Sequence, residues 1–196
     1  TTFIMYKKAA NVIQCGQGGG EWREYTHTSV YTYRFVKEAD GWALYLKGAG
    51  SDQTDIQLGK ISFDAFAADG FSKGEATLGI YVYDATNTTN ELAFEVTNVK
   101  HMVAVEKTMI AVDGAYANWT PVYLAGSDIE GGASFAGNAG AFGTGTTLNT
   151  KLDVTEAVEF DFKFTEENMA TDSLFAITFG VDADSFNNGA KGTTFI

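Results

Sequence analysis

Val158-Glu159-Phe160-Asp161-Phe162-Lys163-Phe164 alternates without a break. Val158, Phe160, Phe162 and Phe164 fall on one side of the chain, and Glu159, Asp161 and Lys163 on the other. A period of two is the mark of a strand with one face in a core and one in water. The same pattern recurs on both sides of this run. Tyr25 to Val36 mixes aromatic and β-branched residues with Thr and Arg, and Asp40-Gly41 then supplies a hairpin turn. Tyr31–Val36 and Trp42–Leu46 are therefore predicted to pair, with Trp42 in the core. Ile56–Leu58 and Lys60–Phe63 read as short strands interrupted at Gly59, and Asp64–Ala68 as one helical turn. In Ala76–Tyr83, Leu78, Ile80 and Val82 share one face, with Thr77, Tyr81 and Tyr83 on the other. Leu92–Val96, His101–Ala111, Trp119–Leu124 and Leu152–Val154 are further strands. Leu174–Val181 is expected to pair with the Val158 run after the Glu166–Ser173 connection. Helical periodicity is nearly absent. About a dozen short strands with turns between them predict an all-β antiparallel sandwich of the jelly-roll kind. One domain, 1–196, is expected to contain it all.

Composition fits that class. The chain has 196 residues, 45% of them hydrophobic and 14% aromatic, enough for a full core without staples. The 22 glycines and single proline belong to a turn-rich chain. Their densest cluster, Gly126–Gly145, reads either as a surface loop or as a tight passage between sheets. A net charge of −12 excludes a nucleic-acid partner, since phosphate contact needs clustered Lys and Arg. The same charge suits an extracellular protein. No run is long enough for membrane insertion, and no signal-peptide pattern opens the chain. Cys15 stands alone, so no disulfide forms within the chain; it reads as a small buried hydrophobe or as a cross-link between copies.

One repetition stands out. Thr1-Thr2-Phe3-Ile4 recurs as Thr193-Thr194-Phe195-Ile196. Read through the join, Lys191-Gly192-Thr-Thr-Phe-Ile-Met5-Tyr6-Lys7 is a continuous strand-like run. Such a match predicts either a head-to-tail array, whose period is the interval from Thr1 to Thr193, or a boundary coincidence. A weaker echo links Trp42-Ala43-Leu44-Tyr45-Leu46-Lys47-Gly48 to Trp119-Thr120-Pro121-Val122-Tyr123-Leu124-Ala125-Gly126.

Taken in order, Ala133–Gly137, Val158–Phe164 and Leu174–Gly180, then Tyr33–Phe35, Gly41–Leu46, Leu78–Val82 and Leu92–Val96, resemble the strand succession of laminin-G-like and other concanavalin A-like lectin sandwiches. The succession is coherent when read from about Ile129 to Ile196 and on from Met5 to about Lys100. The resemblance thus implies a permuted or tandem unit, whose sheet is completed by a strand from a neighbouring copy. Some members of that fold cleave glycosides with Glu-x-Asp-x-Glu on one strand. Glu159-Phe160-Asp161-Phe162-Lys163 has lysine at the third position, so the second carboxylate of a retaining pair is missing. A solvated strand face with a cross-strand ion pair is the better reading.

His27 and His101 read as surface residues of strands, outside any triad or zinc spacing. Gly16–Gly20 lacks the Lys-Ser/Thr of a phosphate loop. No enzyme is expected. Asp182, Asp184, Asn187 and Asn188, ahead of Gly189, form a candidate calcium loop; Asp84, Asn87, Asn90 and Glu91 form a poorer one. Ordinary turn chemistry explains both equally. Trp22 and Tyr31 are the candidate carbohydrate-binding aromatics. Asn87-Thr88-Thr89 and Asn118-Trp119-Thr120 match the N-glycosylation pattern.

The sequence therefore predicts an extracellular, non-enzymatic unit of a surface fibre or adhesin, its partners further copies of itself. Thr1–Ile4 and Thr193–Ile196 would be the assembly strands. The alternatives are a carbohydrate-binding, lectin-like module with a calcium-supported site for glycans, and a viral shell or tail component.

Overall fold

The computed structural model describes residues 2–9, 12–15, 22–24, 29–49, 52–63, 74–83, 91–138, 144–170 and 173–180. They form sixteen strands: β1 (Thr2–Ala9), β2 (Val12–Cys15), β3 (Trp22–Glu24), β4 (Tyr31–Lys37), β5 (Gly41–Leu46), β6 (Ile56–Ser62), β7 (Glu75–Tyr83), β8 (Glu91–Val103), β9 (Thr108–Ala111), β10 (Trp119–Val122), β11 (Leu124–Ile129), β12 (Gly132–Asn138), β13 (Gly145–Leu148), β14 (Leu152–Asp153), β15 (Ala157–Glu167) and β16 (Leu174–Gly180). Sheet I runs β10-β13-β7-β16-β1-β2-β3, with β14 also on β7. Sheet II runs β11-β12-β8-β15-β4-β5-β6, with β9 also on β8. All pairings are antiparallel, and the two sheets pack face to face.

The Val158–Phe164 run lies at the centre of sheet II, inside β15. Its apolar side is buried, and its Phe rings reach residues of sheet I. Phe162 stacks on Phe175 with ring centroids 5.4 Å apart, and Phe35 of β4 stacks on Phe179 at 4.0 Å. Phe94 fills the space between Phe135 and Phe162, at 5.2 and 5.5 Å. Each such side chain removed from water contributes about 1.5–3 kcal/mol. Both described tryptophan rings are core and hand their indole N–H to a backbone carbonyl. Trp42 Nε1 donates to Val154 O and Trp119 Nε1 to Gly114 O, each at 2.9 Å. Burial of an indole demands that partner.

The β4–β5 hairpin forms as expected. Several expectations are corrected, among them His101–Ala111 and Trp119–Leu124, each of which divides between two strands. Leu174–Gly180 does not pair with the Val158 run: β16 crosses to sheet I and lies between β7 and β1. The segments around Gly59 are one strand, β6, with a bulge in its pairing to β5. Gly126–Asn138 is neither loop nor passage but the greater part of the β11–β12 hairpin, turning at Glu130-Gly131. The alternation read on β7 stands, and both of its faces are covered, Thr77 and Tyr81 being buried like Leu78 and Ile80. The helical turn expected at Asp64–Ala68 lies outside the described residues.

Strand exchange between sheets happens within one residue at Tyr123. β10 belongs to sheet I and β11 to sheet II, and Tyr123, at φ +57°, makes the corner. Such corners let one chain edge both layers of a sandwich.

Candidate functional site

The expected assembly strand sits inside a sheet. In β1, Thr2, Phe3 and Ile4 face Thr178, Ile177 and Ala176 of β16, and Met5 and Tyr6 continue the register to Phe175 and Leu174. On its other side β1 meets β2 only from Met5 onward, through Met5–Cys15, Tyr6–Gln14 and Lys7–Ile13. Among the described residues, Thr2–Ile4 is thus paired along one edge alone. Thr193–Ile196 lies outside the described residues, as do Thr1 and the calcium candidates Asp182, Asp184, Asn187 and Asn188. Of the second calcium set only Glu91 is described, exposed at the start of β8. Among the described residues no three His, Cys, Asp or Glu side chains gather as metal ligands. No described helix is long and apolar enough to cross a membrane.

The two sugar-binding candidates are on different sheets. Trp22 opens β3 at the margin of sheet I, paired with Gln14. Tyr31 opens β4 of sheet II, opposite Phe162, and is packed against the core. Tyr123 is the most exposed described aromatic, at 68%. Nothing in its sequence context marks it, because the corner that exposes it depends on two strands belonging to different sheets. Asn118, of the second glycosylation pattern, donates from Nδ2 to Asp113 O at 3.3 Å.

The outward face of sheet II carries the charges. Glu159 meets Arg34 Nε at 3.3 Å and Lys47 Nζ at 2.9 Å, and Arg34 also reaches Asp55 at 3.4 Å. Asp161 accepts from Thr32 Oγ1 at 2.6 Å and from Asn98 Nδ2 at 2.8 Å. Lys163 pairs with Glu95. This bears out the solvated strand face read at Glu159–Lys163. A second cluster ties the β4–β5 turn to β6: Lys60 Nζ lies 2.7 Å from Glu38 and 2.6 Å from Asp40, and Tyr45 OH donates to Glu38. Glu38 is lowered from the ordinary carboxylate value, first by the Lys60 hydrogen bond and then by that of Tyr45. Tyr45 is pushed up to about 12 by burial, reinforced by Glu38.

His101 departs from the surface role expected for it. It is half-buried on β8, and its Nδ1 accepts the backbone N–H of Asp153 at 2.8 Å, joining sheet II to β14.

β8 is also where sheet II opens. β12 pairs with Glu91–Thr97 of β8, and β9 with Lys100–Val103. Between them Asn98 takes φ +53° at a bulge opposite β15, and its amide N–H donates to Gly131 O at 3.0 Å. Gly132 lies so close to Val96 O that no side chain fits there. The result is a cleft of about 370 Å³, its floor at Asn98–Lys100 and its walls at Ala111–Ala115 and Asp128–Gly132. Asp113 and Asp128 in those walls accept backbone N–H groups from Ala115 and Tyr116, at 3.0 and 2.7 Å.

Comparison with protein-family models and with curated proteins gives no match for this chain.

Proposed function

We propose that this protein is a non-enzymatic structural unit that assembles into an extracellular fibre through strands exchanged between copies. The observation that carries the reading is the position of Thr2–Ile4, hydrogen-bonded to β16 on one side and, among the described residues, left open on the other where β2 stops. The same letters return at Thr193–Ile196. A segment with the side chains and hydrogen-bonding period of β1 suits the place alongside Thr2–Ile4 in a neighbour, or the place of β1 itself. Edge pairing of this kind supplies main-chain hydrogen bonds, while alternate side chains set the register. The net charge of −12 supports solubility of the free unit and requires a specific contact for association. The lectin-like alternative draws its support from the face-to-face packing of two antiparallel sheets, which sugar-binding sandwiches share with many others.

Phe195→Pro removes a strand donor and blocks extended pairing at the repeated segment. The variant is expected to stay monomeric or dimeric by light scattering while retaining the circular dichroism of the parent, whereas the parent forms polymer. Polymer of unchanged mass from the Phe195→Pro chain, or a parent that never polymerises, overturns the reading.

A further inference from the structure

We propose that two copies also join through β9, across a two-fold axis at Ile110. This contact uses a different surface from the repeated termini and does not rest on them.

Among the described residues, and apart from the Thr2–Ile4 part of β1 described above, six strands end a sheet or stand beside a gap, and five of them carry a guard against further pairing. β10 holds Pro121, β11 holds Asp128, β6 holds Lys60, β3 holds Arg23 and Glu24, and the two-residue β14 holds Asp153. Charge, proline and shortness are the usual protections of strand edges. β9 has none: its residues are Thr108, Met109, Ile110 and Ala111, and it pairs with β8 alone. Ile110 is 41% exposed, and Val105 at the tip of the β8–β9 hairpin is 93% exposed.

The backbone fixes how a second strand would fit. Val112 N donates to Val99 O, so Thr108, Ile110 and Val112 turn their amides toward β8. Alternation then points the N–H and C=O of Met109 and Ala111 away from it. Antiparallel pairing about Ile110 sets Met109 against Ala111 of the second copy, and Ala111 against its Met109. All the outward groups are satisfied, and the two Ile110 side chains meet at a non-hydrogen-bonded pair, where strands come closest.

The flanking residues commit the occupant to a second copy rather than to a foreign strand. The same register brings Lys107, a turn residue already paired with Glu156 of its own chain, opposite Asp113 of the other copy, twice by symmetry. Among the described residues no strand borders the outer side of β9, because β11 pairs with β12 and goes no further than Ile129. Its end is the cleft between Ala111–Ala115 and Asp128–Gly132, where the Val105 tip of the second copy would lodge. One geometry thus covers the exposed valine, the exposed isoleucine, the unguarded edge and the cleft.

The test is run in the Phe195→Pro chain, so that polymerisation through the termini cannot mask it. Sedimentation is expected to show a dimer. Ile110→Lys, which sets two like charges face to face, is expected to sediment as a monomer with an unchanged circular dichroism spectrum. Asp113→Asn, which keeps an oxygen for the Ala115 N–H and removes the charge facing Lys107 of the other copy, should weaken the dimer by on the order of tenfold. Ile110→Cys in a Cys15→Ser background should form an intermolecular disulfide under mild oxidation. A monomer at every concentration without that cross-link overturns the proposal, as does a dimer insensitive to Ile110→Lys. Either outcome leaves the reading of the repeated termini standing, because those tests depend on polymer and not on dimer.

Discussion

On sheet II the residues turned away from the core include Arg34, Glu95, Glu159, Asp161 and Lys163, with the small Ala43 and Ala157 buried among them. On sheet I the corresponding positions are Thr77, Gly79, Tyr81, Ala176 and Thr178, all of them buried. The first surface is held by ion pairs that water screens, each worth about 0–1 kcal/mol. The second is held by close packing. The Tyr81 ring lies over the glycines of its own and the adjacent strand, with a Cβ on Gly79 only 3.0 Å from it. Its hydroxyl meets Thr147 Oγ1 at 3.0 Å. Small residues are required at Gly79, where Thr178 Oγ1 and then the Tyr81 ring occupy the space of a side chain, and at Gly145, where Ile80 O and the same ring do. The two sheets share one core but answer to different rules on their far sides.

A charge placed on each far side should separate them most. Thr178 is 1% exposed and donates to Gly79 O, so Thr178→Lys buries an ammonium without a counter-ion. It is expected to cost about 3–5 kcal/mol or to prevent folding. Thr97 is half-buried on the outward face of sheet II, opposite Asp161, and Thr97→Lys should change stability by less than about 0.5 kcal/mol. Urea denaturation of the two variants checks the contrast, and equal costs would erase it.

That contrast also governs what could be read from sequence. Sheet II was legible because one of its faces meets water: Val158–Phe164 and Tyr31–Val36 alternate, and alternation gives both the strand and its orientation. On sheet I the far side is apolar or small. Alternation puts Thr77 and Tyr81 on the face opposite Leu78, Ile80 and Val82, as the structure has them, but burial of that face by the rest of the chain leaves no trace in their spacing. Leu174–Gly180 was recognisable as a strand but not as a member of sheet I. Its nearest strand in sequence was the natural partner, and only the change of sheet after β15 places it elsewhere. The β8–β9 hairpin was hidden for another reason. Its turn, Ala104–Lys107, contains no Gly, Pro, Asn or Asp, and Lys107 itself takes the φ of +52° that such residues usually supply. His101–Ala111 therefore read as one strand, and the unguarded edge of β9 went unseen. The repeated Thr-Thr-Phe-Ile was plain in the letters, but its place beside β16 follows from register alone.

A single methyl group gives a smaller version of the same test. In Gly79→Ala the new Cβ would lie 2.5 Å from Thr178 Oγ1 and 3.0 Å from the Tyr81 ring. The strand must shift or the ring must move, at a cost of about 1–3 kcal/mol. Ala136 is exposed on the outward side of β12 in sheet II, and enlarging it to Val should be neutral within about 0.5 kcal/mol. Thermal unfolding of both variants compares packing with solvation directly. A neutral Gly79→Ala would mean that sheet I tolerates bulk and that its glycines are incidental.

The finest comparison is between two tyrosines pushed to about 12 by different surroundings. Tyr81 on sheet I is raised by burial, with the Thr147 hydrogen bond pulling slightly the other way. Tyr45 on sheet II is raised by burial first and then by the hydrogen bond to Glu38 and its charge. For both, the folded value lies above the ordinary 10, so the protonated form is favoured by folding. The stability they contribute is whole below about pH 10 and declines as the pH rises from there through about 12. Glu38→Gln removes the charge beside Tyr45 and leaves Tyr81 untouched. In a spectrophotometric titration one late-ionising tyrosine should then move toward the ordinary value while the other stays. The alkaline loss of stability should shrink by the share belonging to Tyr45. If both tyrosines moved together, their environments would be coupled through the core, and the far sides of the two sheets would not be the independent surfaces that their packing describes.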